Sequence, residues 1–130
     1  MKILGIGTDI VNIDRLAKNF KKDSSKFKNK IFSVKEILYC NKKKNSIASF
    51  AKRFAAKEAF TKALGTGFGN GISLKNIEVI NNKFGKPSIK LHGNLPTLLK
   101  RKVKNKKYNI HLSLSDDDPW AQATVIILYK

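Results

Sequence analysis

Apolar and polar positions along the chain follow two periods, and these sort it into strands and helices. Residues 2–11, KILGIGTDIV, are rich in β-branched and apolar residues and read as a strand. Ile13, Leu16, Ala17 and Phe20 then recur at i, i+3, i+4 and i+7, which predicts a helix over about 13–21. Its outward face carries Arg15, Lys18, Lys21 and Lys22. Ser33 and Glu36 have the spacing of a capping box and open a short helix through Ile37, Leu38 and Tyr39, which the NKKKN run breaks. The longest helical pattern, 46–64, ends at GTGFGNG, where four glycines in seven residues stop a helix and allow close backbone approach to a ligand. Alternating stretches at about 74–81 and 87–92 flank NNKFGKP and predict a hairpin. A helix over about 95–103 follows. YNIHLSLS then places Tyr108, Ile110, Leu112 and Leu114 on one face, with Asn109, His111, Ser113 and Ser115 on the other. WAQATVIILYK is the last strand. The order of elements predicts an α+β fold over 1–130, a single domain whose largely antiparallel sheet packs against a long central helix.

One residue breaks the pattern. In RFAAKEAFTKAL, the apolar stripe through Ile47, Phe50, Ala51 and Phe54 continues, at about 100° per residue, onto Glu58. A carboxylate on a core-facing stripe must take a proton, a cationic partner or a metal. Lys62, four residues on, offers an i,i+4 ion pair at the edge of a half-buried helix. A hard cation is the other solution, and Asp9 in GIGTDIV supplies a second carboxylate from a separate element. Mg²⁺ takes one or two protein carboxylates together with substrate phosphates. Asp9 reads equally as a helix-entry or turn aspartate. Lys57 and Lys62, the glycine-rich loop and Lys86 in FGKP form a set suited to phosphate. The loop is not a Walker A motif, because these glycines close a helix where that motif opens one. His111 beside Ser113 is either a phosphate or ribose contact or a half-exposed strand histidine without a role. His92 has no distinctive setting, and Trp120 and the phenylalanines read as core.

Charge widens the choice of partners. There are 27 basic and 9 acidic residues, a formal net charge of +18, which favours nucleic acid, phosphorylated small molecules, acidic proteins or membrane surfaces. All the basic residues except Arg15, Arg53 and Arg101 are lysines scattered over every segment, so a Lys/Asn/Ile bias explains part of the excess. A nucleic-acid module is the rival class, but no recognition-helix pattern, aromatic RNP motif or arginine-rich arm accompanies the charge. Cys40 stands alone, which excludes an internal disulfide. The N-terminal stretch lacks a leader cleavage pattern, and ATVIILY is too short to span a bilayer. A soluble cytoplasmic protein with no membrane partner is the expectation.

GIGTDIVNIDR, RFAAKEAFTKALGTGFG, FGKP, and HLSLS followed by WAQATVI occur in order across nearly the whole chain. Together they resemble the holo-[acyl-carrier-protein] synthase family. The resemblance implies the 4′-phosphopantetheinyl transferase fold and an enzyme that takes coenzyme A as co-substrate. It would transfer the 4′-phosphopantetheine arm to a serine of apo-acyl carrier protein, releasing adenosine 3′,5′-bisphosphate in support of fatty acid biosynthesis. It further implies Asp9 and Glu58 as Mg²⁺ ligands and Glu58 and Lys62 as catalytic, with Lys62 stabilising the departing phosphate. Glu58 acting directly and a metal-bound water are both candidate bases. Gly65, Thr66, Gly67, Lys86, Pro87 and His111 would line the coenzyme site, and a homotrimer would place active sites between subunits. Carrier proteins of this substrate class are acidic, so Arg15, Lys18, Lys21 and Lys22 form the expected docking face. The chain departs from the family pattern at Asp116, where many members carry a histidine.

Overall fold

In the computed structural model, which describes residues 1–66 and 71–130, the first apolar run forms β1 (Lys2–Asn12) and passes directly into α1 (Ile13–Lys22). Asn12 caps that helix, its side-chain oxygen accepting from the Arg15 amide at 3.1 Å. Next come α2 (Ser24–Ile31), α3 (Val34–Asn41) and the long α4 (Ser46–Leu64). The Ser33/Glu36 capping box forms with both of its bonds. Asn45 caps α4, and Gly65 ends it at φ 81°, a left-handed conformation that glycine adopts without strain. A 3₁₀ turn, Leu74–Asn76, leads into β2 (Ile77–Asn81) and β3 (Pro87–Leu91). The chain closes with α5 (Leu95–Lys102), β4 (Tyr108–Asp117) and β5 (Trp120–Tyr129).

The architecture is α+β, and among the described residues every strand pairing is antiparallel. The strands form two sheets: a three-stranded one in the order β1-β5-β4, and β2-β3 by itself. α4 lies on the larger sheet and is buried on nearly all sides, with thirteen of its nineteen residues buried. Its small residues allow this. A Cβ on Gly7 would sit 1.8 Å from the Ala59 carbonyl oxygen, and one on Gly5 would sit 1.8 Å from that of Ala63. The helix backbone therefore rests directly on the β1 backbone. Beneath α4 the sheet presents Ala121, Ala123, Val125 and Ile127, all fully buried. A second apolar cluster joins α1 to α4, with Phe50 in edge contact with Phe20 and Phe32 at ring separations of 5.2 and 5.0 Å.

One helix was not anticipated and three expectations are corrected. α2 is not apparent from periodicity, because SSKFKNKI offers only Phe27 and Ile31 as apolar residues and has no side-chain cap. Tertiary packing supports it, with Phe27 lying against Phe20 and Phe54. The strand anticipated from residue 74 starts at Ile77, after the 3₁₀ turn. Trp120 and Phe84 are not core: they are 46% and 84% exposed. Trp120 belongs to the outer face of the larger sheet, which also leaves Ile6 and Ile10 exposed.

Candidate functional site

Direct contact between α4 and β1 brings two distant carboxylates together. Asp9 points from β1 toward the helix, beside Glu58. Burial, and after it the adjoining Asp9 carboxylate, pushes the Glu58 carboxyl up to about 8, with the Lys62 ammonium pulling partly back. Lys62 does not close the i,i+4 pair. Its Nζ crosses to β1 and donates to Asp9 Oδ1 at 3.1 Å and to the Thr8 carbonyl at 2.9 Å. Asp9 Oδ2 is buried without a hydrogen-bond partner. Two adjoining carboxylates, one with an unsatisfied oxygen and the other resisting ionisation, are a donor set that a hard cation would complete. Among the described residues, no group of three or more His, Cys, Asp or Glu gathers that could hold a metal without substrate oxygens.

Glu58 is not on the core-facing side of its helix. With Ile47, Phe54 and Lys62 it lies on the least buried stripe of α4, opening into a cavity of about 200 Å³ that α1 borders with Arg15, Leu16 and Asn19. Lys18, Lys21 and Lys22 are exposed on α1.

Lys57, on α4, has no exposed side-chain surface, so it is not part of a phosphate-binding set. Its Nζ donates to Glu36 Oε1 at 2.8 Å and to the carbonyls of Leu74 and Ile77. Burial holds its pKa below the usual lysine range against the opposing Glu36 charge. His92, for which the sequence offers no setting, meets Glu78 at 3.0 Å. Burial pushes Glu78 upward, but its hydrogen bonds to Ser33 and His92 outweigh this, so its pKa falls below the usual carboxylate range.

A second concavity, about 490 Å³, opens on the other side of α4 and is lined by Lys43, Lys44, Lys52, Arg53, Pro87 and Asp116, among others. Arg53 is 2% exposed. Its guanidinium stacks 4.1 Å from the centre of the Tyr39 ring and donates to Asn81 Oδ1, while its Nε is buried without a partner. Asp116 is paired with Lys52 at 3.0 Å. The sequence signal for this cavity is the NKKKN run at 41–45, which read only as a helix break, with Arg53 two turns into the helix that follows. Ser49, Lys52 and Arg53 project from α4 at about 120–180° from Glu58, so the helix separates the basic cavity from the carboxylates.

The remaining expected site residues are dispersed. Gly65 and Thr66 follow α4 directly, and Gly67 lies outside the described residues. Lys86 is exposed in the hairpin turn and Pro87 opens β3. His111 faces outward beside Ser113, in register with Ile126 and Ile6 across the sheet, so within one chain the sheet separates it from Asp9. Among the described residues, no helix is long and apolar enough to cross a membrane.

A sequence model of the 4′-phosphopantetheinyl transferase superfamily matches residues 5–123. Holo-[acyl-carrier-protein] synthase of Zymomonas mobilis is 48% identical over 128 residues, covering 96% of each chain. Among solved structures, the holo-[acyl-carrier-protein] synthase of Neisseria meningitidis superposes with a TM-score of 0.87 at 35% identity, over 98% of this chain and 99% of the other. That of Helicobacter pylori, in complex with coenzyme A, gives 0.79 at 33% identity over 95% and 99%.

Proposed function

The chain belongs to the holo-[acyl-carrier-protein] synthase family of the 4′-phosphopantetheinyl transferase superfamily, and from this premise we propose its reaction in detail. Residues 1–130 act as one transferase domain that moves the 4′-phosphopantetheine arm of coenzyme A to a serine of an acidic apo-acyl carrier protein, in the cytoplasm and in service of fatty acid biosynthesis. The serine oxygen forms a bond to the phosphorus bearing the arm as the bond from that phosphorus to adenosine 3′,5′-bisphosphate breaks, and the serine proton is lost to a base. One observation carries the reading: the half-buried Asp9–Glu58 carboxylate pair, Asp9 tied to Lys62 and Glu58 open to the α1 cavity.

Asp9 and Glu58 would hold Mg²⁺, which supplies positive charge toward the pyrophosphate and its leaving group. Asp9 Oδ1 and the Thr8 carbonyl aim the Lys62 ammonium, which adds a second positive charge at the departing phosphate. Arg15 borders the cavity that leads to Glu58, and this supports α1, with Lys18, Lys21 and Lys22, as the face that meets the acidic carrier.

Coenzyme A carries a 3′-phosphate besides its pyrophosphate, and the basic cavity with its unpartnered Arg53 Nε suits a second anionic group. That cavity and the carboxylates lie on opposite sides of α4, while Ile6, Ile10 and Trp120 leave an exposed sheet face. Both features support a homotrimer in which the active site lies between copies. His111, on that outer face, would then reach coenzyme bound to a neighbour, and Gly65, Thr66, Gly67, Lys86 and Pro87 complete the proposed lining.

The test is intact-mass spectrometry of an acidic apo-acyl carrier protein incubated with coenzyme A, Mg²⁺ and the protein. The expected result is a gain of one phosphopantetheine arm, abolished by chelator and reduced at least about 10²-fold in Glu58→Gln and Asp9→Asn. No gain with a carrier that a known transferase modifies would overturn the proposal.

A further inference from the structure

Among the described residues the β2–β3 hairpin pairs as a sheet only with itself, yet it carries Asn81, Gly85 and Pro87 into the lining of the basic cavity, with the exposed Lys86 between the last two. Ile77 and Val79 are buried in the main core. Apolar burial is non-directional, so it holds the hairpin against the core without fixing its position along its own axis. Directional bonds from the helical layer do that. The Ile77 carbonyl accepts from Lys57 Nζ, and Glu78 Oε2 accepts from Ser33 Oγ at 2.5 Å. The Val79 amide donates to Glu36 Oε2 at 3.0 Å, and Asn81 Oδ1 accepts from Arg53. Four of the five residues of β2 are thus gripped by α3, α4 or the α3 cap.

Glu36 and Lys57 form the centre of this grip. Neither side chain has exposed surface, and they bond to each other at 2.8 Å. Lys57 also holds the Leu74 carbonyl at 2.9 Å, so one ammonium fixes the approach to β2 as well as its first residue. Glu36 Oε1 additionally accepts from the Ser33 amide at 2.9 Å, which locks the start of α3 into the same network. Among the described residues every side-chain hydrogen bond of the pair falls within this network, Lys57 Nζ also lies 5.6 Å from the centre of the Phe32 ring, and none of these contacts is with Asp9 or Lys62.

We infer that Glu36 and Lys57 are positioning residues for the coenzyme, setting the placement of the hairpin against α4 and hence of Lys86 and Pro87 relative to the cations of the basic cavity. The inference rests on the proposal that this cavity takes part of coenzyme A. Its consequence is a separation of effects. Weakening the grip impairs coenzyme binding and leaves the carrier face on α1 and the carboxylate pair intact.

The experiment compares wild type, Glu36→Gln and Lys57→Met in steady-state transfer and in calorimetric titration with coenzyme A, below the melting temperature of each variant. A displacement of order 1 Å at a binding rim predicts a rise of about tenfold or more in the coenzyme Kd and KM, with kcat and the carrier KM within about threefold. Adding Lys86→Ala should then cost less in a gripless background than in wild type, because the lysine is already displaced. If Lys57→Met does not fold, Glu36→Gln, which keeps the side-chain shape, carries the test. Unchanged coenzyme affinity in a folded variant, or fully additive effects with Lys86→Ala, would overturn the inference. Absence of transfer by wild type would instead overturn the proposed reaction.

Discussion

Gly7→Ala probes the contact on which the carboxylate pair depends. The added methyl would lie 1.8 Å from the Ala59 carbonyl oxygen and 2.7 Å from the Ala63 amide nitrogen, where ordinary contact begins at 3.4 Å. Both neighbours are backbone atoms of a helix, so no side chain can turn away, and α4 must lift from β1 by about 1.6 Å at this point. Overpacking of a filled core costs about 1–3 kcal/mol, and the backbone nature of the clash argues for the upper end. At roughly 4 °C per kcal/mol for a domain of this size, the melting temperature should fall by about 8–12 °C. The catalytic effect should be larger than the loss of stability suggests. Ala59 and Ala63 flank Glu58 and Lys62, so the same movement stretches the 3.1 Å bond from Lys62 to Asp9. Misplacement of order 1 Å predicts about a 10²-fold loss of transfer rate in protein that remains folded. Differential scanning fluorimetry, circular dichroism and the intact-mass assay read these quantities. A variant melting within about 2 °C of wild type and transferring within twofold would refute the claim that direct backbone contact sets the site.

Further expectations concern charge and assembly. Glu58 titrates near 8 in the folded protein against 4.5 for an ordinary carboxyl, so the folded state retains a proton that the unfolded state releases. Metal-free stability should therefore decline as pH rises from about 4.5 to 8 and then level off. Thermal melts should show this decline in wild type and lack it in Glu58→Gln, and Mg²⁺ at pH 8 should stabilise wild type alone. Arg15→Glu should lower kcat/KM for an acidic carrier about tenfold at low salt, and the ratio to wild type should shrink as salt is raised. Ile10→Lys, on the exposed sheet face, should shift the protein to monomer in size-exclusion chromatography with light scattering and reduce transfer in parallel.

Periodic segments were legible because their apolar positions answer to one local environment. Ile13, Leu16 and Phe20 face one cluster, and the alternation of Tyr108 to Ser115 matches a sheet with one covered side. α2 was not, since it relies on aromatic contacts from other elements rather than on its own pattern. Within the site, Glu58 was visible as an anomaly but placed on the wrong side of its helix, and of the two partners offered for it, Lys62 does not close the pair. Sequence proximity pointed to Lys62, whereas the lysine reaches a residue 53 positions away. Lys57 read as a phosphate lysine and is a buried structural one instead. A lysine in a helix looks like a solvated one unless the acceptors at Glu36, Leu74 and Ile77 are known, and those come from other elements. The role of Asp9 and the expectation of a trimer came from family resemblance, not from spacing.

The placement of the carboxylates and the basic cavity on opposite sides of α4 has a genetic meaning. If each working site takes its acidic half from one copy and its basic half from the next, two inactive variants need not stay inactive together. Glu58→Gln spoils only the first half and Lys44→Glu only the second. Subunits exchanged at random between the two would rebuild a site wherever an intact acidic half meets an intact basic half, at about a quarter of all interfaces in a closed ring. Two defective alleles of this small chain would then complement each other, and co-expression would restore what neither copy supplies alone.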